Sequence, residues 1–256
     1  MNRPLTTPDR WSILSRFTQA RIGLGRAGSS LPTDSMLDFS MAHARARDTI
    51  HTPLDVAKLH RELEGAGFSA LHVHSRAATR TEYLQRPDLG RRLTAESTAL
   101  LETEDSPKNR PEHRLTIVIA DGLSSLAPAE HALPLLSALC PHLGQWQLDT
   151  IIIATQARVA LADEIGALRH AEMTVILIGE RPGLKSADSL GTYLTWHPRI
   201  GRTDAERNCI SNIRPEGLSY ERAAEKLLYL LNGARALGAT GIPLKDNSGA
   251  IARELR

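Results

Sequence analysis

Cysteine occurs only twice, at Cys140 and Cys209, which is too sparse for a disulfide framework. The ten histidines form no H-E-x-x-H and the cysteines no C-x-x-C, so no metal site is expected. Lysine is confined to Lys58, Lys108, Lys185, Lys226 and Lys245. The positive charge is therefore almost all arginine, the side chain suited to planar, multidentate contacts and to interfaces. Net charge is scarce as well: 31 basic residues against 29 acidic ones leave a formal +2, so neither a nucleic-acid surface nor a polybasic membrane patch is expected. Long hydrophobic runs are missing. Runs such as Leu115 to Ala120 and Thr150 to Ala154 have the length of strands and fall far short of a membrane span. Met1-Asn-Arg-Pro-Leu5 leads into polar sequence without the apolar stretch of a signal peptide, and the expected compartment is the reducing cytoplasm.

What remains is an ordinary globular composition, 41% hydrophobic over 256 residues, enough for a sizeable core in a main domain with an appendage. The first half, residues 1–101, reads as mostly helical. Thr7-Pro8-Asp9 places a cap, a first-turn proline and an early acid ahead of Trp11, Ile13, Leu14 and Phe17. Thr33-Asp34 opens a second helix running toward Asp48, and Thr52-Pro53-Leu54-Asp55 a third, which stops at Gly65-Ala-Gly67. A short strand is expected at 71–74 and a further helix through Leu89, Leu93 and Leu100. Residues 102–113 are polar, carry two prolines and read as a linker.

Beyond the linker the pattern becomes an alternation of apolar strands (115–120, 149–154, 173–178, with 193–196 as an addition) and helices, closed by an amphipathic helix from Tyr220 to Leu237. Continuous β-branched strands separated by helices imply a parallel sheet covered on both faces. The fold class expected is thus α/β: a Rossmann-like parallel sheet over 114–245, with a helical N-terminal region and a loose tail at 246–256.

Parallel sheets bind ligands at the carboxyl ends of their strands. Three loops fall there: Asp121-Gly-Leu-Ser-Ser125, Thr155-Gln-Ala-Arg-Val159 and Gly179-Glu-Arg-Pro-Gly-Leu184. The third places an acid and an arginine directly after a buried strand. Gly23-Leu-Gly-Arg-Ala-Gly28 matches G-x-G-x-x-G, but no strand precedes it and no helix begins within it, so a structured connection is the better reading. Ser124 and Ser125 lack the G-x-S-x-G elbow of a serine hydrolase. His72 and His74 share a strand face without further ligands. Cys209 has a cationic neighbour in Arg207 but no adjacent base, and reads as a buried or ligand-contacting thiol.

The loops carry a further signal. Ala20-Arg-Ile-Gly-Leu-Gly-Arg-Ala-Gly28, Arg86-Pro-Asp-Leu-Gly-Arg-Arg92, Ile119-Ala-Asp-Gly-Leu-Ser124, Gly179-Glu-Arg-Pro-Gly-Leu184 with Asp188-Ser-Leu190, and Asp204-Ala-Glu-Arg-Asn-Cys-Ile-Ser-Asn-Ile213 resemble the small subunit of ethanolamine ammonia-lyase, in that family's order and over nearly the whole chain. The resemblance implies an adenosylcobalamin-dependent lyase converting ethanolamine to acetaldehyde and ammonia. It implies a TIM-barrel large subunit that carries the substrate pocket, with the small subunit closing over cobalamin at the boundary between them. The cofactor performs the hard step by homolysis of its cobalt–carbon bond. The cobalamin-contacting positions of the family fall on Val159, Glu180 and Cys209, and no catalytic residue or metal ligand falls on this chain. No D-x-H-x-x-G signature is present, so cobalamin is expected to keep its own benzimidazole on cobalt. Some members carry an N-terminal extension associated with entry into a bacterial microcompartment; here helix-forming sequence begins by Trp11, so the cytoplasm is the expected setting and a microcompartment the alternative to it. Two other readings are an independent NAD-binding oxidoreductase using Gly23 to Gly28 and a noncatalytic module for assembling a corrinoid complex.

Overall fold

A computed structural model describes residues 5–18, 20–104 and 112–249. Parts of the expected linker (105–111) and tail (250–256) lie outside the described residues. In chain order the elements are helices α1 (Thr33–His51) and α2 (Val56–Gly65), strand β1 (Ala70–His74), helices α3 (Arg80–Gln85) and α4 (Ala95–Glu104), strand β2 (Arg114–Ala120), helix α5 (Leu126–Leu139), strands β3 (Gln147–Leu148) and β4 (Ile151–Thr155), helix α6 (Leu161–Leu168), strands β5 (Met173–Gly179), β6 (Leu190–Trp196) and β7 (Arg207–Ile213), and helix α7 (Tyr220–Leu237).

The seven strands form one sheet in the order β1-β4-β2-β5-β6-β7, with β3 beside the start of β2. Strands β1 to β5 run parallel, as their apolar, β-branched composition implies. The last two do not: β5 pairs β6, and β6 pairs β7, antiparallel. Period-two alternation splits the core. Leu115, Ile117 and Ile119 of β2, with Val175 and Leu177 of β5, pack against α2, α5 and α7, whereas Val118, Ala120, Ile176 and Ile178 pack toward α4 and α6. This mixed α/β sheet, mostly parallel and flanked by helices, is the architecture expected from the sequence.

Three buried or half-buried ion pairs staple the layers. Asp149, at the break between β3 and β4, receives Arg169 at 2.7 and 2.8 Å and Arg114 at 3.3 Å. Glu164 of α6 holds Arg92 at 3.0 and 3.1 Å and accepts the Leu93 backbone N–H at 2.9 Å. Arg207 of β7 forks onto Asp163 of α6 at 2.6 and 2.7 Å.

The middle staple explains one departure from expectation. A single helix was expected through Leu89 and Leu100, yet the chain forms a 3-10 turn at Leu89–Arg91 and restarts at Ala95, because Arg92 and Leu93 are drawn out to Glu164. The segment after Asp9 is likewise a 3-10 turn (Arg10–Arg16) with no buried residue, although Asp9 caps it through the Trp11 N–H as expected. The Gly23 to Gly28 run precedes no helix start and follows no strand. A side chain at Gly23 (φ +63°) would lie 2.6 Å from the Ser12 Cα, and one at Gly25 (φ +74°) 2.7 Å from the Thr7 carbonyl oxygen, so these glycines fold residues 7–30 onto themselves.

Candidate functional site

Strands β2, β4 and β5 end side by side, and the loops that follow them enclose a cleft of about 330 Å³. Gly122 and Leu123 come from the loop after β2, Arg158 and Val159 from the loop after β4, and Gly179, Glu180 and Arg181 from the end of β5; Tyr83 of α3 and Tyr193 of β6 complete the walls. Its floor is an interlock of backbones. The Leu123 N–H donates to the Gly179 carbonyl at 2.9 Å, and a Cβ on Gly179 would sit 1.9 Å from the Ser124 carbonyl oxygen, so glycine is required there.

Val159 is placed by the loop before it. Asp121, 3% exposed, accepts the N–H groups of Gln156 and Ala157 at 2.9 and 3.0 Å and faces Arg80 at 3.4 Å. Burial pushes the Asp121 carboxyl up, against the pull of those donors. The Tyr83 hydroxyl donates to the Ala157 carbonyl at 2.9 Å, while the guanidinium carbons of Arg158 and Arg80 lie 4.3 and 4.8 Å from its ring centroid. Burial drives the Tyr83 hydroxyl well above its ordinary range, so it stays a neutral donor.

Glu180 is held from two sides. Its Oε2 accepts from the Ser189 hydroxyl and, at 3.3 Å, from the Asn212 N–H, while its own N–H donates to the Ser189 carbonyl at 2.9 Å. Among the described residues no protein donor reaches Oε1. The loop 181–189 that carries Ser189 is itself tied down: Ser124 donates to the Ala187 carbonyl at 2.7 Å, and Asp188 lies 3.2 Å from His131 Nε2 and 3.4 Å from Arg214. Arg181 does not ion-pair with Glu180 in the way that adjacent charges could.

The structure thus brings Val159 and Glu180 into one cleft. Cys209 stands one strand beyond the wall, exposed, in register with Tyr193 and 3.5 Å from the Ser211 hydroxyl. The guanidinium of Arg207 is committed to Asp163 and Thr195. Tyr83 and Tyr193 were not singled out from sequence: one sits in a short polar helix and the other in an apolar strand, and only the fold carries them to the strand ends. A larger groove, about 720 Å³, runs between α5 and α7 past Pro134, Tyr220 and Leu228. It lies away from the strand ends and no buried polar groups converge on it, so it is the weaker ligand site.

Sheet and cleft together define an α/β protein with a cleft at the carboxyl ends of its parallel strands, the place where open α/β sheets take ligands. The family model for the ethanolamine ammonia-lyase light chain matches residues 8–245. Among similar proteins are the ethanolamine ammonia-lyase small subunits of Pseudomonas fluorescens (52% identical over 247 residues, 95% of this chain and 89% of the relative), Azotobacter vinelandii (53% over 249 residues, 96% and 92%) and Ralstonia nicotianae (50% over 242 residues, 94% and 89%). The chain belongs to the ethanolamine ammonia-lyase light-chain family, whose members are subunits of a lyase.

Proposed function

We propose that this chain is the small subunit of an adenosylcobalamin-dependent ethanolamine ammonia-lyase, converting ethanolamine to acetaldehyde and ammonia together with a large, TIM-barrel subunit, and that the strand-end cleft grips one edge of the cobalamin. The observation that carries the reading is the Glu180 carboxylate, fixed through Oε2 by Ser189 and Asn212 with Oε1 left to accept from a ligand. A corrinoid presents the matching chemistry, since its rim carries amide donors and its ring an apolar face, suited to Glu180 and Val159 respectively. Cys209, one strand away on the same edge, offers a small polarizable contact.

Cleft size supports a shared site. At about 330 Å³ it stands at the low end for a drug-sized ligand, and a cofactor as large as adenosylcobalamin needs a second surface to cover it. When bound, that cofactor would supply the radical that starts the reaction. The work of this chain is to orient and to exclude water. Glu180 and Val159 fix the corrinoid edge, Tyr83 and Arg158 stiffen the loop that presents Val159, and no side chain of this subunit takes part in bond making. The cellular setting we propose is the cytoplasm. Separately, no helix among the described residues is long and apolar enough to cross a membrane.

The test is ammonia release from ethanolamine plus adenosylcobalamin by this chain and its large subunit, mixed and apart. Turnover in the mixture alone is expected. In that complex Glu180→Ala is expected to weaken cobalamin binding through lost hydrogen bonds worth about 1 to 3 kcal/mol, on the order of 5- to 150-fold in Kd. Unchanged affinity in a folded complex refutes the role of Glu180. A mixture that binds cobalamin and turns over no ethanolamine refutes the substrate and leaves the assembly reading.

A further inference from the structure

The described residues between 5 and 51 are built unlike the rest of the chain. Eleven of the sixteen exposed large hydrophobic side chains among the described residues fall between Leu5 and Met41. Trp11 is 68% exposed, Phe17 84%, Leu37 63% and Met41 56%. Of the nineteen residues of α1 only Ala46 is buried, and the helix packs broadly against no other helix or strand. Surface of this kind on a monomer marks an interaction site rather than a tolerated accident.

The segment is nevertheless ordered within itself. Thr7 and Arg26 exchange backbone hydrogen bonds at 2.7 and 2.9 Å, and Gly23 closes against the backbone of Ser12. Arg21 ties this knot to α1, donating to the Ser35 carbonyl and lying 5.7 Å from the Phe39 ring centroid. Knot and helix therefore form one preorganised arm, which lowers the ordering cost of binding. The arm is also rooted at the cleft. Arg80, the residue that faces Asp121 and Gln156 at the strand ends, donates to the Ile50 carbonyl at 2.6 Å, and Ser125 donates to the Thr52 carbonyl at 2.7 Å. A surface that covers the open side of the cleft thus lies within reach of the arm.

We infer that residues 5–51 are the clasp by which this chain holds the large subunit, laying the Trp11, Phe17, Leu37 and Met41 side chains into an apolar groove of that partner beside the shared cofactor. The inference rests on the two-subunit reading above. Charge specifies the groove further: between residues 9 and 48 six arginines stand against four aspartates with no lysine or glutamate, so the matching rim is acidic. Continuity with the cleft favours the large subunit over a second copy of this chain, which would leave the cleft open.

The experiment uses the full chain and two double variants, Trp11→Asp with Phe17→Asp and Leu37→Asp with Met41→Asp. All four positions are exposed, so thermal unfolding of the body is expected to stay as in the wild type. Binding to the purified large subunit is followed by sedimentation velocity and surface plasmon resonance. Each double variant is expected to lose on the order of 100-fold in affinity, because buried aromatic and aliphatic anchors dominate such interfaces. Wild-type affinity in both variants overturns the clasp while leaving the two-subunit reading intact. A wild-type chain that shows no affinity for the large subunit overturns both. A wild-type chain that dimerises alone, with variants that become monomeric yet still bind the large subunit, overturns the clasp in favour of a second copy.

Discussion

The edge strand that carries Cys209 is anchored by one buried ion pair, and its removal has a calculable cost. Arg207 and Asp163 have side chains 2% and 1% exposed, joined at 2.6 and 2.7 Å; the guanidinium also donates to the Thr195 hydroxyl and the Arg202 carbonyl, each at 2.9 Å. Burial pushes the Asp163 carboxyl up while the fork of Arg207 pulls against it. Asp163→Ala leaves a cation in the interior with two neutral acceptors and only the exposed carboxylate of Asp204, 3.5 Å away, as counter-charge. Breaking a buried pair in this way costs about 3 to 5 kcal/mol. At roughly 2 to 4 °C per kcal/mol for a chain of this size, Tm is expected to fall by roughly 6 to 20 °C. Replacing both partners by leucine removes the stranded charge and is expected to recover most of that loss. The assay is thermal and urea unfolding of Asp163→Ala, Asp163→Leu, Arg207→Leu and the Asp163→Leu, Arg207→Leu pair. Singles that cost less than about 1 kcal/mol, or costs that simply add, would refute the reasoning, because additivity means that the groups do not interact.

Two other outcomes follow from titratable groups. Burial raises the Cys140 thiol to about 11, whereas Cys209 is exposed, so iodoacetamide at pH 8 is expected to label Cys209 well ahead of Cys140; equal labelling by peptide mass mapping sinks this. In the complex, cobalamin is expected to slow that labelling. Glu206 closes a capping box, and the Thr203 N–H, Arg202 and the Thr203 hydroxyl hold its carboxyl down at about 2. Since the unfolded chain takes up that proton first, near the ordinary value of about 4.3, the contribution of Glu206 is complete above that pH and is lost as pH falls toward about 2. Glu206→Gln is expected to flatten the decline of stability across that window, and an unchanged slope in urea titrations excludes it.

The strands that were readable from sequence are those whose environment is uniform. Every residue of β5 is buried, so its run of Met, Val, Ile and Leu could only be a covered strand. Strand β7 was not readable, because Arg-Asn-Cys-Ile-Ser-Asn-Ile alternates with the wrong polarity: Arg207 is inside only by virtue of Asp163, and Asn208 is satisfied by carbonyls of Gly241 and Leu244, far along the chain. The helix expected through residues 89–100 failed for a similar reason, since Glu164, over seventy residues away, decides the path of Arg92 and Leu93. At the cleft, the loops after β2, β4 and β5 were legible because parallel strands converge there by geometry. Tyr83 and the Ser189 and Asn212 partners of Glu180 were not, as each is brought in by tertiary contact. The apolar residues of the first two expected helices, among them Trp11, Phe17, Leu37 and Met41, are exposed, since helical spacing alone does not say what covers an apolar face.

The interlock beneath the cleft has an evolutionary consequence. With the Ser124 carbonyl 1.9 Å from where a side chain on Gly179 would begin, the floor of the site admits no variation by single substitution. Any drift in what the cleft accepts must therefore run through its rim, at the half-buried Val159 and above all at the exposed Arg181, where a lineage can change its ligand without rebuilding the sheet.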